Sequence, residues 1–144
     1  MSRDNVELVQ RLLPPPGVDL ALVVRNDELI AGFLEQASPH VHPRFECVAD
    51  WGGERAVYQG LDGLRALFLD WLAPWTTYRS ETERFEDLGD RVVVLVRDYG
   101  RRADVELEVE VLGASVWSFR DQKIARAEFY ARRHEALEAL GLAE

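Results

Sequence analysis

Among its 144 residues the chain has one cysteine, so no intramolecular disulfide can form. Cys47 lies between apolar neighbours, where a small buried hydrophobe is the expected role, because a nucleophilic thiol wants a nearby base and an electropositive site. Long apolar runs are absent as well. None reaches membrane-spanning length, and the first seven residues lack the apolar segment of a signal peptide, so the cytoplasm is the expected location. Positive charge is scarce: 17 Lys and Arg stand against 26 Asp and Glu, for a net charge of -9. That balance disfavours nucleic acid, whose phosphates attract cations, and also disfavours an anionic membrane surface. Its main consequence is solubility. There is no Gly-rich phosphate loop, P-loop lysine or nucleophile elbow. His40 and His42 flank Pro39 and Pro43 with no Cys-rich or His-Glu motif to complete a metal site. No metal and no cofactor is therefore expected.

What the chain does have is periodicity. Val6, Val9 and Leu13 follow helical spacing up to Pro14, which ends that helix because proline lacks the N–H donor and clashes in a helix interior. Residues 19–24 read as a short helical turn. Ile30, Phe33, Leu34 and Ala37 form one stripe of a further helix begun at Asn26 or Asp27 and closed by Pro39. Strands are predicted over 45–49 and 56–59, on either side of a Trp51 to Glu54 loop. Leu61, Leu64, Phe68, Trp71, Leu72 and Trp75 mark a strong amphipathic helix that stops near Pro74. Four strands follow, over 78–85, 91–99, 105–119 and 124–131, joined by short polar connections as hairpins require. A last helix spans 134–140 with Gly141 at its C-terminal cap. Helices first, then antiparallel strands around one helix, indicate a single α+β domain over 1–144. Long hairpin strands that curve over helices leave a cone-shaped hollow.

Asn5 to Arg11, His42 to Glu46, Tyr58 to Arg65, Gly89 to Val94 and Val116 to Ile124 occur in an order and at a spacing that resembles the NTF2-like superfamily, in its SnoaL-like and ketosteroid-isomerase-like branch. The resemblance spans almost the whole chain and implies the cone-shaped fold. It does not select a function, since the superfamily hosts isomerases, cyclases, dehydratases, hydrolases and non-catalytic binders. Ketosteroid isomerases carry a general-base aspartate at the end of the first strand. The matching position here is Ala49, with Asp50 one residue later, and a one-residue slip turns a strand side chain to the other face. Their protonated oxyanion-hole aspartate matches Ser115. Their first-helix tyrosine has no counterpart, because Leu12-Leu13-Pro14 occupies that region.

Within 105–119 the odd positions read Val105, Leu107, Val109, Val111, Gly113, Ser115, Trp117, Phe119. Period two places this set on the buried face, with Ser115 as a hydroxyl on an apolar surface unless a bulge at Gly113 shifts the register. Trp71, Trp117 and Phe129 are the aromatic candidates for clasping a flat apolar ligand, with Tyr78 or Arg97 at the mouth. Periodicity leaves open whether Arg97 or Asp98 points inward. Glu128 and Tyr130 alternate against Ala127, Phe129 and Ala131, so they are expected on the outer face, where they suggest a homodimer contact. Three readings result. A binding protein holds a small apolar molecule in the hollow. An acid–base enzyme of isomerase, cyclase or dehydratase type acts on an apolar carbonyl compound, with Asp50 as base and Ser115 as donor. A dimerisation module fills the hollow with side chains. Asp50 also reads simply as the start of the Trp51 loop.

Overall fold

The chain's own punctuation sets its helical layer. The computed structural model describes residues 2–52 and 54–142; Gly53, inside the expected Trp51 to Glu54 loop, lies outside them. Helix α1 (Ser2–Leu12) stops just before the proline run. Helix α2 (Leu20–Arg25) is capped by Asp19, whose side chain accepts from the Ala21 N–H. The same carboxylate oxygen accepts from the Tyr78 N–H at 3.0 Å, which ties this short helix to the sheet. Asn26 caps helix α3 (Asp27–Ala37) by accepting from the Glu28 and Leu29 N–H groups, which satisfies donors that a helix start leaves orphaned. A 3-10 turn over Ser38–His40 leads into strand β1 (Val41–Asp50). Strand β2 (Arg55–Gln59) and helix α4 (Gly60–Leu72) follow. Strands β3 (Trp75–Asp87), β4 (Arg91–Arg102), β5 (Val109–Arg120) and β6 (Lys123–Tyr130) come next. Helix α5 (Arg133–Ala139) completes the chain, with Gly141 at a φ of 71° behind it. Among the described residues no helix is long and apolar enough to cross a membrane.

The six strands form one sheet in the order β2-β1-β6-β5-β4-β3, antiparallel throughout except for the β1–β6 pair. The β5–β6 hairpin turns on Asp121 and Gln122, at φ of 52° and 64°. Two successive left-handed residues match the twist of a two-residue hairpin. Directly paired residues share a face of a sheet. Ala49, Phe129, Ser115 and Val94 therefore share the inner face, and Val48, Glu128, Val116 and Val93 the outer. The inner face packs with α1, α3 and α4 in the main core, which includes Val9, Ala37, Leu67, Val94 and Trp117. On the outer face α5 seats Ala136 and Leu137 against Val93, Leu95, Val116 and Tyr130.

Three sequence expectations change. Strand β5 begins at Val109 rather than Val105, where its pairing with β4 stops opposite Gly100 although β4 itself runs on to Arg102. Val105 and Leu107, placed on the buried face by alternation, are exposed, Leu107 by 75%. Helix α4 ends at Leu72 and Trp75 opens β3, since Pro74 cannot continue a helix. The Arg25 guanidinium binds the freed Leu72 and Trp75 carbonyls at 2.7 and 2.6 Å. Tyr130 lies on the outer face as read, but α5 folds over it, so its ring is buried within the chain.

Cys47 is fully buried in the main core. Burial, with the Glu46 charge adding to it, pushes its thiol up to about 12. Only the thiolate alkylates readily. Iodoacetamide at pH 8 is therefore expected to leave the folded protein unlabelled and to label it stoichiometrically in denaturant, as read by intact mass. Rapid labelling of the native chain would contradict this burial.

Candidate functional site

The stripe on α4 faces the sheet without filling the space above it. A cavity of about 490 Å³ lies between α4, the inner sheet face and the segment from Arg11 to Val24. Leu67, Phe68 and Trp71 line it from α4, and Val96, Trp117, Ile124 and Phe129 from the sheet. Leu12 to Pro15 and Val18 cover one side, and Ile30, Phe33 and Ala37 of α3 another. The stretch between the first two helices is thus used as a wall. Aromatic rings meet edge to face there. Phe129 sits 5.6 Å from Phe68 and 5.7 Å from Trp117, with interplanar angles of 69° and 80°.

Polar groups in the wall are few. Asp98 and Ser80 face each other across β4 and β3, and Tyr78 is two residues before Ser80. The Tyr78 hydroxyl donates to Asp98 Oδ2 at 2.6 Å, and the Trp71 indole N–H reaches the same hydroxyl at 3.5 Å. Asp98 is 8% exposed, and its Oδ1 has no hydrogen-bond partner. Burial pushes the Asp98 carboxyl above its ordinary range. The nearby Ser80 and Tyr78 hydroxyls and the Arg133 charge on α5 oppose that shift only in part. Burial is also the main cause that raises the Tyr78 hydroxyl, and the Asp98 charge adds to it. Tyr78 therefore stays protonated as a donor. Ser115 is buried, and its Oγ accepts from the Trp117 indole N–H at 2.9 Å, which leaves its own O–H able to donate. Arg11 and Gln36 both line the cavity and are exposed to solvent, so they mark its mouth.

The structure brings Trp71, Tyr78, Ser115, Trp117 and Phe129 together around this cavity. It does not bring Asp50 or Arg97 there. Asp50 pairs with Tyr130 and Arg55, which places it on the outer face, while Ala49 belongs to the inner one. Its Oδ1 accepts from the Gly52 N–H at 3.1 Å, and its Oδ2 is 3.9 Å from the Arg55 guanidinium. The register of β1 runs unbroken through Glu46 to Asp50, so no bulge turns Asp50 inward, and the base role given to it fails for that reason. Arg97 is also on the outer face, bound to Glu83 and Glu110 at 2.7 Å each. Tyr78 forms part of the polar end of the wall rather than its solvent mouth.

Asp98 is the residue that sequence reasoning left undecided. Both faces of β4 are apolar, because helices cover the sheet on both sides there. Strand parity therefore carried no information. The available signal was pairing: an aspartate opposite Ser80 and near Tyr78 has hydroxyl partners, whereas Arg97 pairs opposite Glu81.

A model of the SnoaL-like domain matches residues 26–127. No curated protein matches the chain. Among solved structures, a protein assigned as a SnoaL-like polyketide cyclase from Jannaschia sp. CCS1 is similar at 18% identity and TM-score 0.61, over 87% of this chain and 83% of that one. TerC, crystallised with polyporic acid, is similar at 22% identity and TM-score 0.63, over 94% and 96%. A ketosteroid-isomerase-like protein from Catenulispora acidiphila, in complex with trimethylamine, is similar at 14% identity and TM-score 0.54, over 73% and 79%.

Proposed function

Because the chain belongs to the SnoaL-like family, we propose that it binds a small, largely apolar molecule in this cavity, with an oxygen of that molecule hydrogen-bonded at the Asp98–Tyr78 pair. One observation carries the proposal: a buried carboxyl with an unpartnered oxygen stands in the wall of an otherwise apolar hollow. A buried polar atom without a partner costs about 1–3 kcal/mol, and a ligand that meets it recovers part of that cost. The cavity falls in the size range of small-molecule sites, which combine apolar walls with a few convergent polar groups. A hollow of this volume also opposes the module filled by side chains. Polyporic acid, the molecule crystallised with TerC, points the same way. Calorimetry with 2-naphthylacetamide, a flat neutral probe, tests this. Saturable binding that a Ser115→Phe substitution blocks supports it, and no binding contradicts it.

A second reading, acid–base catalysis on a carbonyl compound, is favoured by the raised carboxyl of Asp98 beside a protonated Tyr78. A carboxyl moved toward neutrality is better matched to proton transfer at physiological pH. In this reading Asp98 takes a proton alpha to the carbonyl while the Ser115 hydroxyl donates to the developing enolate oxygen. Deuterium uptake by 2-tetralone in D2O, followed by NMR, tests it. Uptake faster than buffer and abolished by Asp98→Asn supports catalysis, and wild-type uptake at the buffer rate leaves binding alone.

Association belongs to the proposal too. The outer face of β1, β2 and β6 carries Glu46, Arg126, Glu128 and Arg55 in a connected ion-pair ladder. Alternating charges of this kind are self-complementary about a two-fold axis. A homodimer through this ladder predicts a dimer mass by sedimentation at tens of micromolar and a monomer for Arg55→Glu/Arg126→Glu. A wild-type monomer at that concentration would count against it.

A further inference from the structure

We propose that the ligand is an anionic amphiphile, an apolar body carrying a carboxylate or an equally acidic group, and that Arg11 at the cavity mouth selects it. The inference rests on the binding function proposed above and adds the charge of what is bound. Among the described residues Arg11 is the one cationic side chain in the cavity wall, and Asp98 the one acidic side chain. They differ in a way that fixes the polarity of the site. Asp98 is buried and already holds the Tyr78 hydroxyl at 2.6 Å, deep in the wall rather than at the mouth. Arg11 is exposed, always charged, and makes no ion pair among the described residues. Many arginines elsewhere are engaged in ion pairs, as Arg79, Arg97 and Arg126 in the sheet and Arg133 on α5 show.

Position strengthens the argument. Arg11 lies in the last turn of α1, and the next residues, Leu12, Leu13, Pro14 and Pro15, run directly along the cavity wall. Its backbone is therefore continuous with the cavity wall. Gln36 from α3 also lines the cavity where it opens to solvent. A ligand whose apolar body lies among Phe68, Trp117 and Phe129 presents its other end to these two side chains. A guanidinium fork and an amide N–H are donors suited to a carboxylate. A cationic end would meet Arg11 repulsively, and a neutral end would leave it without a counter-charge. With a net charge of -9, the body of the protein repels anions at long range, so affinity for an acid must come from a local cation such as this one.

The test is calorimetry on the full chain with three probes of one shape: 2-naphthylacetate, 2-naphthylacetamide and 2-(2-naphthyl)ethylamine. The acid is expected to bind about fivefold more tightly than the amide, a difference of about 1 kcal/mol, and the amine most weakly. The preference for the acid should shrink with added salt, as expected for a partly exposed pair. Arg11→Gln is expected to remove the advantage of the acid over the amide, and Arg11→Glu to reverse the order of acid and amine. Arg11 is exposed, so neither variant burdens the fold. Saturable amide binding by both variants reports that the cavity is intact. Equal binding of acid and amide by the wild type, tighter binding of the amine, or an acid preference that survives Arg11→Gln would overturn the anionic assignment while leaving cavity binding in place. Failure of all three probes to bind would overturn both.

Discussion

Asp98→Asn is expected to become progressively more stable relative to the wild type as pH rises. The folded carboxyl is raised above its ordinary value of 3.8, chiefly by burial. A group raised in the folded state contributes its stability below the unfolded value and loses it as pH climbs through the folded value. Asparagine has nearly the same shape and no such titration. The difference in unfolding free energy, Asn variant minus wild type, should therefore grow from the ordinary carboxylate range up to the folded pKa and then level off. Each unit of upward displacement corresponds to about 1.4 kcal/mol. Glu83, which Arg133 and Arg97 hold below its ordinary value, titrates in both proteins and cancels in the difference. Asp98→Ala should behave otherwise. It strips the Tyr78 hydroxyl of its acceptor and should cost about 1–3 kcal/mol near pH 5. Urea unfolding from pH 4 to 9 reads both effects. A difference curve for the Asn variant that grows as pH falls would contradict the burial of Asp98.

Gly100→Val is the second large effect. Valine suits a strand, yet a Cβ at position 100 would overlap the Trp75 ring, which lies against the bare glycine backbone. Overpacking of this kind costs about 1–3 kcal/mol. Trp75 also contacts Tyr78, with ring centroids 5.5 Å apart, so a displaced Trp75 disturbs the Tyr78–Asp98 hydrogen bond. Gly100→Val should therefore weaken binding of the neutral naphthyl probe as well as stability. In a double-mutant cycle with Trp75→Ala, the glycine substitution should cost much less once the ring is gone, with a coupling of about 1 kcal/mol or more. Strict additivity would mean that the ring does not hold position 100.

Helical stripes and hairpin spacing made most of the architecture legible in the sequence. The α3 stripe, the α4 stripe up to Leu72 and the short connection between residues 119 and 124 need only local periodicity and turn chemistry, and all three stand where the sequence reading put them. Boundaries that depend on a distant partner were not legible. Strand β5 looks continuous from Val105 because its alternation continues, but its ladder with β4 stops at Val109 opposite Gly100. Trp75 continues a helical stripe in sequence, and only Pro74 and the waiting edge of β4 turn it into a strand. At the site, Ser115, Trp117 and Phe129 were readable because one apolar face and one parity sufficed. Asp98 was not, because α5 makes the outer face of β4 apolar too. Asp50 stood near the position of a known base, but the register of β1 gives the inner place to Ala49.

The central claim is that the space under α4 is a binding site, and indole resonances read it directly. Four tryptophans are present, of which Trp71 and Trp117 line the cavity. In a 15N–1H correlation spectrum, titration with 2-naphthylacetamide is predicted to shift the Trp71 and Trp117 indole N–H signals along one common binding curve, with probe-to-protein NOEs to Phe129 and Trp117. Both indoles donate to site hydroxyls, Tyr78 and Ser115, so an occupant between them cannot leave them unchanged. Unmoved Trp71 and Trp117 signals at saturating probe, or NOEs confined to outer-face residues such as Val57, would contradict the account.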